Sequence, residues 1–145
     1  MIDDLGRGRI GLDTGPIIYF IEDSPAFQPA LVPLFQAADE GQVELVTSAI
    51  TLLEVLVVPY RAGNHALASR YEALLTRSRG MTLIELSRGQ LRRAAQLCAA
   101  TGFRTPDALQ LTATIDAGCT SFVTSDRRMR GVKGLRIVQL ESYAS

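Results

Sequence analysis

Short apolar runs alternate along this chain with longer segments of helical periodicity, and this alternation restricts the fold more than any other feature. The runs cover residues 9–13, 43–47, 81–86, 120–124 and 136–140. In several of the intervening segments apolar residues recur every three or four positions, and a glycine follows, as at many helix ends. Strands that alternate with helices favour a parallel sheet covered on both faces. We therefore predict an α/β fold with a central five-stranded parallel sheet.

The length and composition suit one globular domain spanning residues 1–145. At 145 residues and 47% hydrophobic content, the chain is long enough to bury a core and fold unaided. Fifteen basic side chains balance fifteen acidic ones, so any site for a polyanion has to be local. No apolar run approaches the roughly 18 residues of a membrane span, and the polar start is unlike a signal peptide. We expect a cytoplasmic protein with no membrane contact, in which Cys98 and Cys119 are reduced core residues.

Acidic residues stand where the predicted strands reach their carboxyl ends. Asp13 ends the first strand, and Asp126 follows the fourth. Glu54 lies in the first turns of the helix after the second strand, and Asp107 opens the helix before the fourth. Ligands of open α/β sheets bind beyond these strand ends, where four carboxylates would repel one another unless a cation compensated them. Mg²⁺ and Mn²⁺ prefer such oxygen ligands, so the pattern favours metal-dependent phosphoryl chemistry.

Each of these acids also has a structural explanation. Asp13 could cap a helix and Asp126 could serve a turn, while Asp107 suits a first helical turn, where the dipole stabilises negative charge. Glu54 differs because apolar neighbours surround it on its helix, so that its charge needs a partner or a cavity. The joint placement at strand ends, rather than any single acid, indicates a site. Histidine chemistry is not favoured, because the single histidine, His65, fits a surface turn.

Four segments around these acids resemble the signature segments of PIN-domain nucleases, and the length is similar to VapC-type toxins of bacterial toxin–antitoxin pairs. The resemblance extends from residue 9 to about residue 140, and its most specific piece is Pro-Asp-Ala-Leu-Gln-Leu shortly before a strand ending in Thr-Ser-Asp. A polar lead, residues 1–8, precedes the matching part. The segments are residues 12–14, 50–55, 105–113 and 123–127.

The resemblance implies a PIN-like three-layer α/β/α fold with the sheet order 3-2-1-4-5. It also implies that Asp13, Glu54, Asp107 and Asp126 bind one or two Mg²⁺ or Mn²⁺ ions and catalyse hydrolysis of RNA phosphodiester bonds. Thr14 would lie at the edge of the metal site, and Thr124 would orient a carboxylate or a water behind the metal ligands. Members of the family commonly form homodimers and are neutralised by a small antitoxin protein.

A local basic cluster is predicted to hold RNA phosphates, which supply affinity without reading sequence. Arg104 and Arg127 are favoured because they lie close to the acids in sequence, whereas Lys133 and Arg136 are explained as well by a solubilising loop. The substrate expected is RNA with exposed single-stranded loops. The predicted RNA contacts are Arg104, Arg127, Arg128 and Arg130.

An apolar stripe on the helix of Glu54 has two interpretations. Leu53, Val57, Val58 and Tyr60 extend beyond what a small core requires, which indicates a dimer or antitoxin surface. Packing in the core explains them equally well.

Two other functions compete with the nuclease. A receiver-like phosphoacceptor domain also gathers acids around Mg²⁺, but it needs a lysine near the site, usually at the end of a late strand. Here the fifth strand ends in Gln139-Leu140-Glu141, and Lys133 lies in a loop. A non-catalytic PIN-like protein that binds RNA or a partner is the other alternative, and the presence of all four acids argues against it.

Overall fold

A single parallel sheet forms the centre of the molecule. The structure is a computed structural model that describes residues 1–129 and 131–145, and the predicted RNA contact Arg130 lies outside the described residues. The strands are paired in the order β3-β2-β1-β4-β5, all parallel, which confirms the predicted fold class and order. They are β1 (Gly8–Leu12), β2 (Val43–Ser48), β3 (Met81–Ile84), β4 (Ser121–Thr124) and β5 (Arg136–Gln139).

Helices cover both faces of this sheet. One layer packs on a core that includes Ile10 and Leu12 of β1, and the other packs on Val46 and Phe122. The first layer is formed by α1 (Ile2–Leu5), α2 (Thr14–Ile21), α3 (Gln28–Asp39), α4 (Ala49–Arg61) and α5 (His65–Arg77). The second layer is formed by α6 (Arg88–Thr101) and α7 (Thr105–Asp116), and a 3₁₀ turn (Leu140–Tyr143) follows β5.

Helix α7 lies directly against the first strand. Gly11 of β1 faces this helix, and a Cβ atom there would stand 2.4 Å from Thr114 Cγ2. Only a residue without a side chain permits this approach. The close packing brings the start of α7 beside the residue that follows β1, which is Asp13.

Side-chain hydrogen bonds cap the starts of α5 and α6 but not the start of α4. Asn64 caps α5 by accepting from the Leu67 amide, and Ser87 caps α6 in a capping box with Gln90. Ser48 occupies the N-cap position of α4 but makes no capping bond with its side chain. Its hydroxyl donates to Gln110 Oε1 instead, because this fully buried residue faces α7 rather than its own helix.

Two segments depart from the expected pattern. The polar lead contains a helix, α1, whose Leu5 is buried against the first core layer. Strand β3 ends at Ile84 rather than at residue 86. Within the described residues, no helix combines the length and the apolar character that crossing a membrane requires.

Candidate active site

The four acids predicted from the sequence line one cavity at the carboxyl edge of the sheet. Asp13 directly follows β1, Glu54 lies on α4, Asp107 lies in the first turn of α7, and Asp126 follows β4. The cavity has a volume of about 410 Å³. Its other lining residues are Thr14, Gly15, Arg104, Pro106, Gln110, Ser125 and Arg128.

Asp13 serves both of the roles considered for it. Its Oδ1 accepts from the Thr14 amide at 2.9 Å, which caps α2, and its Oδ2 accepts from Thr124 Oγ1 at 2.7 Å. Burial raises the pKa of Asp13, these two hydrogen bonds lower it, and the charges of Asp107 and Glu54 raise it further. Burial is the largest of these causes, and no positively charged group is among them.

Glu54 has both the partner and the cavity that its apolar helix requires. Thr14 Oγ1 donates to Glu54 Oε1 at 2.8 Å. The same threonine stands at the start of α2 and lines the cavity. Thr14 and Thr124, the two threonines predicted to flank the acids, therefore each donate a hydrogen bond to one of them.

Asp107 and Asp126 are held by arginines. Arg104 Nε lies 3.3 Å from Asp107 Oδ2, and its Nη2 lies 3.4 Å from Asp126 Oδ2. Arg128 contacts Asp126 through its backbone amide at 2.9 Å and through Nε at 3.1 Å. The hydrogen bond from Arg128 is the main cause that lowers the pKa of Asp126. The two carboxylates remain partly open to the cavity, with 15% and 20% of their side chains exposed.

The cavity is therefore divided by charge. On one side Asp13 and Glu54 receive hydrogen bonds from neutral donors, and on the other Asp107 and Asp126 are paired with guanidinium groups. In the part of the chain that the structure describes, no three His, Cys, Asp or Glu side chains are grouped closely enough to hold a metal ion. The donor set still fits a hard divalent cation, since all four acids supply carboxylate oxygens and the pKa of Asp13 is raised.

The predicted arginines are distributed differently from expectation. Arg104 and Arg128 line the cavity. Arg127 does not line it, and its guanidinium group pairs with Glu141. The geometry favours Arg128 over Arg127, because in the turn after β4 the side chain of Arg128 folds back onto Asp126.

Sequence reasoning assigned no role to Gln110 or Ser125, which also line the cavity. Gln110 is a buried polar residue on α7 between the buried Leu109 and Leu111. A glutamine within such an apolar run is a signal that could have been used, because a buried amide requires partners. Ser125 lies so close to α2 that a Cβ atom on Gly15 would stand 2.1 Å from its Oγ.

A comparison with family models identifies this arrangement. The model described as "PIN domain" matches residues 10–135, which includes all four acids. The chain belongs to the PIN domain family. The predicted family resemblance is thereby confirmed.

Solved structures with the same fold come from toxin–antitoxin systems. VapBC2 from Rickettsia felis, bound to a DNA fragment from its promoter, matches this PIN domain with a TM-score of 0.70 and 15% identity over 90% of this chain and 98% of that chain. A toxin–antitoxin complex from Klebsiella pneumoniae matches with a TM-score of 0.63 and 20% identity over 87% and 94% of the two chains. No functionally curated protein matches this PIN domain in sequence.

A third similar structure is also described as a toxin. VapC20 from Mycobacterium tuberculosis, described as a sarcin-ricin loop cleaving toxin, matches with a TM-score of 0.63 and 14% identity over 78% of this chain and 86% of that chain. At such identities the similarity establishes a shared fold.

Proposed function

We propose that this PIN domain is a metal-dependent endoribonuclease and the toxin of a toxin–antitoxin pair that acts in the cytoplasm. The observation that carries the proposal is the convergence of four acids from separate elements on one cavity. Structural acids that only cap helices or form turns have no reason to share a cavity. The fold similarity to toxins of known systems supports the same function.

The four acids would hold Mg²⁺ or Mn²⁺. Asp13 and Glu54 present carboxylates that neutral donors orient and that positive charge would stabilise. Asp107 and Asp126 would exchange their guanidinium partners for the cation, since both remain partly exposed to the cavity. When bound, such a cation supplies the Lewis acidity that makes a water nucleophilic near neutral pH.

Arg104 and Arg128 would position the RNA. Both side chains are more than half exposed, and both lie at the cavity beside the acids. A guanidinium group released from a carboxylate can bind a phosphate in the same bidentate manner. Phosphate contacts of this kind would hold the backbone of an exposed RNA loop across the acids without reading its sequence.

An antitoxin and a second copy of the chain are the proposed protein partners. The support for an antitoxin is the fold similarity to proteins solved as toxin–antitoxin complexes. A surface is also available, because Leu53, Val57, Val58 and Tyr60 of α4 are exposed. Large apolar side chains gathered on one exposed face commonly mark an interaction site.

The proposal can be tested by mapping RNA 5′-phosphate ends in cells that express the wild type or Asp107→Asn. The substitution keeps the shape of the side chain but removes its charge, so we expect new ends in wild-type cells and none with the variant. Asp116→Asn is the matched control, because Asp116 lies on the same helix but pairs with Arg93 away from the cavity. We expect this control to produce the same ends as the wild type.

Two results would contradict the proposal. New ends that persist in Asp107→Asn would show that cleavage does not depend on the acidic cavity. Maps that are identical with and without the protein, together with no Mn²⁺ binding by the purified protein, would show that it is not this kind of nuclease. Circular dichroism of each variant checks that it is folded.

A further inference from the structure

Gln110 is a buried amide in the wall of the acidic cavity. Only 1% of this α7 residue is exposed, and both ends of its amide have partners. Its Oε1 lies 2.9 Å from Ser48 Oγ and 3.4 Å from Ser48 N. Its Nε2 lies 2.6 Å from Thr51 Oγ1 and 3.3 Å from Thr14 Oγ1. Gln110 thus joins α7 to the end of β2 and to the starts of α4 and α2.

The orientation of this amide follows from its neighbours. The backbone N–H of Ser48 can only donate, so the Gln110 atom that faces it has to be the oxygen. The nitrogen then points to Thr51 and Thr14 and brings two N–H donors to their hydroxyl groups. Both threonine oxygens consequently act as acceptors towards Gln110.

The hydroxyl protons of the neighbouring threonines are assigned by the same reasoning. Thr47 Oγ1 donates to the Leu12 carbonyl at 2.9 Å, which uses its only proton. The 2.7 Å contact between Thr47 and Thr51 therefore requires Thr51 to be the donor. Thr51 then has no proton left for Thr14, although their oxygens are 3.2 Å apart.

One proton remains, and it determines how Glu54 is held. Thr14 accepts from Gln110, so its own proton is available for Glu54 Oε1 at 2.8 Å. The N–H groups of Gln110 can only donate, so the Thr14 proton points away from α7 and towards its other neighbours. Of these, Glu54 Oε1 is charged and lies at 2.8 Å, whereas Thr51 Oγ1 lies at 3.2 Å. Gln110 therefore acts on an acid that it does not contact.

We propose that Gln110 is a positioning residue of the proposed nuclease, and that it directs the Thr14 hydroxyl onto Glu54 so that this carboxylate is held at the cavity. The inference rests on the proposed function, because it assigns Gln110 a part in preparing the metal ligands. Partners behind ligating carboxylates generally hold them in orientation. A methionine at position 110 would fill a similar volume but would lose both donors.

The first experiment follows the ¹³C resonance of the Glu54 carboxyl carbon in metal-free protein. We expect Gln110→Met to shift this resonance in the same direction as Thr14→Val, and the double variant to shift it no further than Thr14→Val alone. Thr14→Ser keeps the hydroxyl and should retain the wild-type resonance. Leu111→Met is the packing control, because Leu111 is a fully buried residue of the same helix whose side chain has no polar group.

The second experiment measures the Kd for Mn²⁺ of the same variants by electron paramagnetic resonance. We expect Gln110→Met and Thr14→Val each to weaken binding about tenfold, the lower end of the range for residues behind metal ligands. The double variant should be no weaker than either single variant. Additive effects, or a wild-type Glu54 resonance in Gln110→Met, would overturn the inference and leave Gln110 a packing residue.

The two experiments separate this inference from the proposed function. One result would refute only the role of Gln110. In that result the wild-type protein binds Mn²⁺ and cuts RNA, and the Gln110→Met variant has an unchanged Mn²⁺ affinity. Coupled shifts of Glu54 in a protein that binds no Mn²⁺ would refute the metal-dependent function and support the hydrogen-bond path.

If Gln110→Met does not fold, the wild-type protein decides the question. Both side-chain amide protons of Gln110 should exchange with solvent far more slowly than those of the exposed Gln36. Thr14→Val should release one of the two Gln110 protons to faster exchange. Equal exchange of Gln110 and Gln36, or no effect of Thr14→Val, would overturn the inference.

Discussion

The carboxylate of Asp13, which directly follows the buried strand β1, has several structural roles. It caps α2, accepts a hydrogen bond from Thr124 and lines the cavity with the other acids. The capping role could be predicted from local sequence, whereas the proximity of Asp107 and Glu54 depends on the sheet order. The pKa of Asp13 is raised because burial and the acidic neighbours outweigh the two hydrogen bonds that lower it.

The raised pKa of Asp13 predicts a pH dependence of stability. The folded protein holds a proton on Asp13 more tightly than the unfolded chain does, in which the pKa of this carboxyl group has its ordinary value of 3.8. The stabilising contribution is therefore complete below that value and is lost as the pH rises through the raised pKa. In chelator-treated protein, we expect the free energy of unfolding to fall across this interval more steeply in the wild type than in Asp13→Asn. Urea titrations at a series of pH values measure the difference, and parallel curves for both proteins would contradict the assignment.

The arginines illustrate what cannot be predicted at this scale. Arg127 and Arg128 are adjacent in sequence, yet only Arg128 reaches the cavity, while Arg127 pairs with Glu141. Both side chains are long and lie in a turn, so their directions depend on partners from other segments. Sequence distance from the acids favoured Arg127, which is the arginine that does not line the cavity.

Helix α4 has one buried face and one exposed apolar face. Thr51, Val55 and Pro59 are buried, whereas Leu53 and Val58 are 61% and 65% exposed. Core packing, one of the two interpretations of this stripe, is therefore wrong for the exposed residues. The apolar pattern of α4 runs almost all round the helix, so the sequence alone could not show which face the core would take.

We expect the exposed apolar face of α4 to bind a second copy of the chain or an antitoxin. We expect the double variant Leu53→Ser, Val58→Ser to lose self-association or antitoxin binding, while its free energy of unfolding changes by no more than about 0.5 kcal/mol per site. Light scattering after size exclusion gives the mass, and calorimetry with the antitoxin gives the affinity. Val55→Ala is the control from the buried face of the same helix, where lost packing should cost about 2 kcal/mol without affecting association. Wild-type mass and affinity in the double variant would contradict the surface assignment.

At the scale of the whole molecule, the sheet order accounts for the site. Strands β1 and β4 are separated by more than a hundred residues but lie side by side, which places Asp13 and Asp126 at the same edge. Helix α7 packs against β1 through Gly11 and adds Asp107 from the other layer. The four acids therefore come from separate segments, which lie close together only when the domain is folded.

This arrangement predicts that a bound cation stabilises the fold. Mn²⁺ that binds only the folded protein should raise the free energy of unfolding by about 2.7 kcal/mol at one hundred times its Kd. Thermal unfolding measured with and without Mn²⁺ tests this, and a chelator should reverse the effect. Asp107→Asn should show no such gain, because a carboxylate of the proposed site is lost. An equal gain in that variant would place the cation elsewhere.

The sequence by itself determined the features that depend on a few neighbouring residues. The strand and helix pattern, the caps at Asn64 and Ser87, and the acids at strand ends all follow from local periodicity and local hydrogen bonds. The family resemblance supplied the sheet order, which β-strand pairing then confirmed.

Only the tertiary structure decided the features that depend on residues far apart in the chain. It showed that Ser48 bonds to Gln110 rather than to its own helix, and that α4 leaves one apolar face exposed. The physical reason is that a buried polar group needs a partner, but its sequence does not say which of several distant groups will reach it. Hydrogen-bond direction in the network behind Glu54 follows from packing contacts that exist only after the layers close on the sheet.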